Sequence, residues 1–243
     1  MDVALLTVGD ELLAGDTENT NATWLAQQLT DAGATVTRIL TVPDDEAVIA
    51  DAVSRYHAAF DAVVVTGGIG GTPDDVTKAA VAQAFDRELV VPDDVRAHLE
   101  AKADRFAENN PEVVDRYEMD LDLDAWAAVP EGADPLLTDE SFAAGCVLDG
   151  VYVMPGIPEE LKAMFATVAE DFGGDRTTET IHTPAPEGAV VSTIVEAREQ
   201  FGVAVGSYPR KGDTPGRVKV TGDDPETVIA AAAWLRERIE TID

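Results

Sequence analysis

The chain has 243 residues, 45% of them hydrophobic, which fits one large domain, or one medium domain plus a small one, with a buried core and excludes a disordered chain. Forty-seven acidic residues face seventeen basic ones, a formal net charge of -30 that repels nucleic acid and anionic membranes and argues against both as partners. The acids are spread along the chain and form no tail, as on a surface kept hydrated in concentrated salt, so a halophilic source is expected and single acids are weak evidence for a site.

Residues 3–8 (VALLTV) are predicted to form a buried strand that starts almost at the N-terminus, with no basic leader before it. No apolar run approaches the roughly 20 residues of a membrane span, so the expected location is the cytoplasm. GDELLAGDTENTN is predicted to be a polar loop. A helix follows from about Asn21, with Ala22, Leu25, Ala26 and Leu29 at helical spacing and Gly33 closing it. Residues 35–42 alternate like a strand, and Pro43-Asp44-Asp45 starts a helix carrying Val48, Ile49, Ala52 and Val53. Residues 61–66 (DAVVVT) are a β-branched run suited to a central parallel strand. A glycine loop follows, then a helix through Val76, Ala79, Ala80 and Phe85. This alternation predicts an α/β fold with helices on both faces of a sheet.

Residues 92–109 are predicted to be helical and residues 111–145 irregular. Residues 146–148 and 151–154 flank Asp149-Gly150, a hairpin signal. Pro155-Gly156-Ile157-Pro158 then feeds a helix with Leu161, Met164, Phe165 and Val168. Phe172-Gly173-Gly174 is the expected boundary between domains. A βαββα unit follows, with strands at 177–182, 203–207 and 217–221 and helices at about 188–200 and 225–240.

Four loops could carry chemistry. In TGGIGGTPDDVT (66–77), glycines directly after a buried strand let backbone approach a ligand, and the next helix aims free N–H groups at an anion such as phosphate. The loop is neither a Walker A motif nor GxGxxG, because no Gly-Lys-Ser/Thr follows and Pro73 stands at the last glycine position. Thr72, Pro73 and Asp75 also read as N-cap, first helical residue and capping-box acid, a role compatible with ligation. Gly9, Glu11, Asn19 and Asn21 lie beyond the first strand, at the edge where open α/β sheets bind ligands. Pro43-Asp44-Asp45 ends the second strand with ordinary helix-start chemistry, and Met154-Pro155-Gly156-Ile157-Pro158-Glu159-Glu160 is another strand-to-helix loop.

Other features carry less. Cys146 is the single cysteine, which excludes an intrachain disulfide, and it reads as inert core. His57, His98 and His182 are far apart. Asp120, Asp122 and Asp124 mimic a calcium-loop start, but Ala125 stands where further ligands are needed, and alternation with Leu121 and Leu123 suits a strand edge. Arg210, Lys211, Arg217 and Lys219 form a local basic cluster, read either as a solvated hairpin or as cations over an anionic ligand.

VGDELLAGDTENTNATWLAQQL, VPDDEAVIADAV, VVTGGIGGTPDDVTKAAVAQAF and VYVMPGIPEELKAMF, in this order within residues 1–170, resemble the N-terminal domain of the CinA competence/damage-inducible family, of the MoaB/MogA molybdopterin-binding superfamily. VAVGSYPRKGDTPGRVKV resembles the small domain that follows in the same proteins. The resemblance implies a three-layer α/β/α sandwich with a mostly parallel sheet over 1–172 and a small α+β, KH-like domain over 173–243. It implies that Asp75 is the main catalytic residue, that Asp44 lies close to the ligand, and that Gly67, Gly68 and Gly70 hold phosphates after Thr66. Glu11, Asn19, Asn21 and Gly156 match further family elements, and with Gly9, Thr72 and Pro155 complete the expected ligand-binding set. Gly71 stands where the family usually has proline, and Asp10 where it usually has threonine. The deamidase domain of longer CinA proteins has no counterpart in these 243 residues, so its activity is not implied.

Three functions follow from the resemblance. The leading one is hydrolysis of a nucleoside diphosphate-linked compound such as ADP-ribose or FAD. It would use a divalent Mg, Mn or Co ion held by Asp75 and Asp44, with Lys78 stabilising developing charge. The second is a protein of molybdenum-cofactor assembly that takes molybdopterin as its ligand. The third is a nucleotide-binding regulatory module without turnover. All three imply a nucleotide or pterin ligand, and a homo-oligomer is expected.

Overall fold

The computed structural model describes residues 1–116, 122–210, 212 and 214–242. In chain order its elements are β1 (Asp2–Val8), α1 (Asp10–Ala14), α2 (Thr20–Asp31), β2 (Thr35–Val42), α3 (Glu46–His57), β3 (Ala62–Thr66), α4 (Thr77–Ala84), β4 (Leu89–Val90), α5 (Asp93–Asn109), α6 (Pro111–Arg116), α7 (Leu123–Ala127), β5 (Val129–Pro130), β6 (Asp134–Leu136), β7 (Gly145–Leu148), β8 (Val151–Met154), α8 (Pro158–Ala166), β9 (Thr177–Thr183), α9 (Glu187–Phe201), β10 (Ala204–Tyr208), β11 (Gly216–Gly222) and α10 (Pro225–Arg236). By its internal contacts the chain forms two compact units, Met1–Gln27 with Val36–Asp171, and Gln28–Thr35 with Phe172–Asp243.

The larger unit is an α/β fold built on one main sheet. Its six-stranded sheet has the order β2-β1-β3-β8-β7-β6. β1, β3 and β8 run parallel at the centre, with Leu5 opposite Val64 and Val65 opposite Val153. β7 and β6 turn back antiparallel at one edge. The central strands are apolar on both faces, as parallel strands covered by helices must be. Leu6, Val65 and Val153 pack with Ile49 and Val53 of α3 and Val81 of α4, all buried. The alternate residues Leu5, Val64 and Met154 are also fully buried. α2 and α8 meet through the edge-to-face rings of Trp24 and Phe165, with centroids 5.5 Å apart. The β7–β8 hairpin turns through Asp149 and Gly150, both at positive φ (46° and 82°), the conformation that makes Asp-Gly a hairpin signal.

The smaller unit is α+β. β10, β11 and β9 form an antiparallel sheet in that order. One face of this sheet presents Ile181, Val205, Val218 and Val220 to Val190, Ile194 and Ala197 of α9 and to Val228, Ala231 and Leu235 of α10.

The structure corrects the sequence reading in four places. The stretch after β1 is not all loop, because Asp10–Ala14 forms the single turn α1, closed by Gly15. α4 begins at Thr77, not near Thr72, since Thr72 and Asp75 close a turn of their own before the helix. Residues 111–145 contain α6, α7, β5 and β6. Among the acids of the calcium-like pattern, Asp120 lies outside the described residues. Asp122 caps α7 by accepting from Ala125 N (3.0 Å), and Asp124 pairs with Arg96 (2.7 Å). The expected strand edge is therefore a capped helix. Among the described residues no helix is long and apolar enough to cross a membrane.

Candidate active site

The C-terminal ends of β1, β3 and β8 open onto one cavity of about 530 Å³, where an open α/β sheet places its ligand. Its walls come from chain segments far apart in sequence, joined by backbone and amide contacts. Gly67 N donates to Met154 O (3.1 Å), and Gly156 lies so near that a Cβ there would sit 3.4 Å from Gly67 Cα. At Gly67 (φ 95°) a Cβ would strike the carbonyl of Val8, and at Gly68 (φ 65°) the Thr77 hydroxyl. Only glycine fits at these two positions, for both backbone conformation and space.

The asparagines brace the wall beside the loop. Asn19 Oδ1 accepts from Ala22 N (3.1 Å) at the start of α2, and Asn19 Nδ2 donates to Thr7 Oγ1 (2.9 Å). Asn21 Nδ2 donates to Gly156 O (2.6 Å), tying α2 to the loop after β8. Asp44 Oδ2 accepts from Asp10 N (2.8 Å), and Gly9 N donates to Val42 O (3.1 Å), so the first and second strand ends hold each other. Glu11 folds its carboxylate back over Gly9, where a Cβ would lie 2.6 Å from Oε1.

Of the residues singled out in the sequence, Gly9, Glu11, Asn19, Asn21, Asp44, Thr66, Gly67, Gly68, Gly70, Asp75, Pro155 and Gly156 all line this cavity. Two do not. Thr72 stands outside the lining and anchors Asp75, donating to Oδ2 from both its backbone N (2.9 Å) and its hydroxyl (2.6 Å). Lys78 turns away from the cavity, against expectation. Its ammonium is buried and donates to the carbonyls of Ala125 (2.9 Å) and Trp126 (3.1 Å). Burial lowers its pKa to about 8. A group used up on backbone carbonyls beneath the helix is not available to a ligand in the cavity. The structure adds Glu18 and Ala143, which the sequence did not single out, and it brings Leu12, Asp74, Ile157 and Glu160 of the recognised loops to the same walls. Glu160 comes from the first turn of α8, which begins at Pro158.

The charge of the cavity is one-sided. Glu11, Glu18, Asp44, Asp74, Asp75 and Glu160 line it, and no lysine or arginine does among the described residues. Asp44 is held above the ordinary carboxylate range, first by desolvation and then by the charges of Asp10, Glu11 and Asp74, with the Asp10 N–H as partial offset. Glu160 is likewise raised by burial. Cys146, fully buried in β7, has its thiol pushed up to about 12 and is inert.

Residues 4–173 match the family model described as a probable molybdopterin binding domain, and residues 176–242 match the FAD synthase middle domain. A protein of Archaeoglobus fulgidus is 35% identical over 239 residues, 98% of this chain and 97% of that one. A CinA-like protein of Citrifermentans bemidjiense is 40% identical over 169 residues, 68% of this chain but 38% of the relative. The crystal structure of CinA from Thermoplasma acidophilum has a TM-score of 0.61 at 28% identity, covering 71% of this chain and 99% of that one. The chain is a CinA-like member of the molybdopterin-binding-domain family.

The tightest point of the loop is Gly71, where a Cβ would collide with the indole Nε1 of Trp126. Trp126 packs in turn against Phe142, with ring centroids 5.5 Å apart. In this CinA-like chain the glycine loop is backed by an indole, which leaves no room for a side chain at Gly71.

Proposed function

We propose that this CinA-like protein is a metal-dependent pyrophosphatase acting on a nucleoside diphosphate compound, of which ADP-ribose and FAD are the first to test. The observation that carries the reading is a cavity with a glycine backbone cradle, six carboxylates and no basic side chain among the described residues. Backbone N–H groups suit phosphate oxygens, but nothing on these walls neutralises a pyrophosphate, so the anion must bring its cation. The under-compensated Asp44 fits that need, because desolvation and three neighbouring acids disfavour its charge and a cation would relieve both. Among the described residues no group of three His, Cys, Asp or Glu forms a ready cage. Magnesium-type ions need none, since one or two carboxylates and the substrate's own phosphates suffice.

In this reading Asp44 and Asp75 would hold the ion, which would neutralise charge on the phosphates and activate water. The protein's own part is positional. Thr72 fixes the Asp75 carboxylate through two donors, the glycine loop brings backbone against the phosphates, and Asn21 holds the loop after β8 in place. The match to the FAD synthase middle domain supports a nucleotide ligand.

The family description favours a second reading, binding of molybdopterin without pyrophosphate hydrolysis. One experiment separates the two. The purified chain is assayed for release of mononucleotide from ADP-ribose and FAD with Mg²⁺, Mn²⁺ or Co²⁺, with EDTA, and with the ion restored. Turnover that EDTA abolishes and the ion restores is expected. Asp75→Asn, a near-isosteric loss of charge, should lower kcat by at least about a hundredfold, the scale of removing a group that acts on the reacting centre. Wild-type rates in EDTA, or in Asp75→Asn, would overturn the metal-hydrolase assignment.

A further inference from the structure

The smaller unit carries charge of a different kind from the rest of the chain. Residues 173–243 hold twelve acidic and eight basic residues, whereas residues 1–172 hold thirty-five and nine. Strand alternation sorts the side chains of its sheet. With Val205, Val218, Val220 and Ile181 turned to the helices, the opposite face receives Gly206 and Tyr208 of β10, Arg217, Lys219 and Thr221 of β11, and Thr178, Thr180 and His182 of β9. The register sets Gly206 opposite Lys219, Tyr208 opposite Arg217, and Thr221 opposite Thr178.

A cavity adjoins this face at the edge strand β10, where Arg198 of α9, Thr30 of α2 and the inward-facing Val205 also reach it. Arg198, Gly206, Tyr208, Lys219, Thr178 and Thr221 line this cavity of about 380 Å³. The threonine hydroxyls are paired at 3.0 Å, leaving proton-donating capacity shared between two rotors. The Tyr208 ring lies over Gly206, where a Cβ would come within 3.2 Å of Cε2, and Arg217 stacks on the same ring at 5.2 Å. Among the described residues neither Arg198 nor Lys219 has a carboxylate within 4.0 Å, although Arg176, Arg236 and Arg238 of the same unit each have one. Among the same residues Arg210 and Arg217 of the unit lack one too, but Arg198 and Lys219 are the two that line this cavity. They converge on one cavity with hydroxyls and an aromatic face, the parts that recognise a phosphate joined to a flat ring.

We infer that this sheet face is a second, non-catalytic site that binds a mononucleotide, with Arg198 and Lys219 on the phosphate and Tyr208 against the base. Aromatic stacking is tolerant of base identity. The cavity volume falls at the lower end of small-ligand pockets, about 300–1,000 Å³, which suits one nucleotide and not a dinucleotide. The site is independent of turnover at the large-unit cavity. In concentrated salt the remote acids are screened within about 3 Å at 1 M, while contacts made inside the cavity keep their strength, so the overall charge of -30 does not forbid the ligand.

The test uses the full chain. ¹H–¹⁵N spectra at fixed KCl are titrated with AMP, adenosine or inorganic phosphate. AMP should shift the amides of Gly206, Lys219 and Thr221 saturably, more tightly than either of its parts. Lys219→Gln and Arg198→Gln should each weaken this binding by roughly tenfold or more, the scale of a lost charge-assisted hydrogen bond. Tyr208→Ala should bring the AMP affinity down to that of phosphate. Asp75→Asn should leave these shifts unchanged, which separates this site from the glycine-loop cavity. Absence of shifts at these amides, adenosine binding as tightly as AMP, or phosphate alone matching AMP in the wild type would each overturn the assignment.

Discussion

Gly71 and Trp126 show how one residue of the glycine loop is fixed by a neighbour 55 positions away. A methyl group at Gly71 has no space except that of the indole Nε1, and overpacking of this kind costs about 1–3 kcal/mol. Gly71→Ala should therefore destabilise the wild-type chain by that amount in urea melts. In a Trp126→Ala background the same change should cost little, because the obstructing ring is gone. Equal costs in both backgrounds would mean that the loop, not the indole, sets the requirement. Asp75 illustrates the other residue-scale device, a carboxylate whose orientation is supplied by Thr72. Thr72→Val removes the hydroxyl donor while leaving the backbone one, and should lower the rate on the proposed substrate less than Asp75→Asn does. A rate equal to wild type would show that the backbone N–H alone positions the acid.

At the scale of elements, α4 couples the site to the core through Lys78. The ammonium sits beneath the helix on two carbonyls of α7, and burial holds its pKa near 8 against an ordinary 10.5. Below about pH 8 the folded protein carries the full cost of a desolvated charge. Between about 8 and 10.5 the unfolded chain still binds the proton and the folded one does not, so stability rises with pH across that window. Relative to Lys78→Met, the wild type should gain on the order of 3 kcal/mol from one end of it to the other. Paired urea melts measure the difference, and a flat one would mean that the ammonium is hydrated. This orientation could not be read from the sequence, because it depends on Ala125 and Trp126, 47 and 48 residues away. The central strands were legible, since VALLTV and DAVVVT are continuous apolar runs ended by polar or glycine residues, and so was the turn at Asp149-Gly150. α1 was not, because five residues are too few to display a helical period. The start of α4 was misplaced for a chemical reason: Thr72 and Asp75 have capping-box identities, but they bond to each other and leave Thr77 N to Gly68 O. The cavity walls were legible wherever they follow a strand end, as at Asp44, Gly156 and Glu160, and hidden where no strand-end motif marks them, as at Glu18 and Ala143.

For the whole molecule the governing quantity is the uneven charge, thirty-five acids to nine bases over residues 1–172 and twelve to eight over 173–243. Like charges on a compact surface repel one another and favour the expanded chain. That repulsion acts over about 10 Å at 0.1 M salt and about 3 Å at 1 M, so added KCl should remove most of it. The melting temperature should rise by several degrees or more between these limits. Because the repulsion is concentrated in residues 1–172, protection of their central-strand amides, Leu5, Val64 and Val153 among them, should increase more steeply with KCl than that of Val218 and Val220. Hydrogen exchange followed by mass spectrometry across a KCl series resolves the two sets. Screening and salt exclusion are told apart by the anion: at equal ionic strength chloride and sulfate screen alike, whereas sulfate also strengthens burial in any protein. A chloride series that leaves both the melting temperature and the central-strand protection unmoved would show that these carboxylates do not repel one another strongly in the folded state. The case for adaptation to concentrated salt would then fail, because it rests on that repulsion being large enough for salt to relieve.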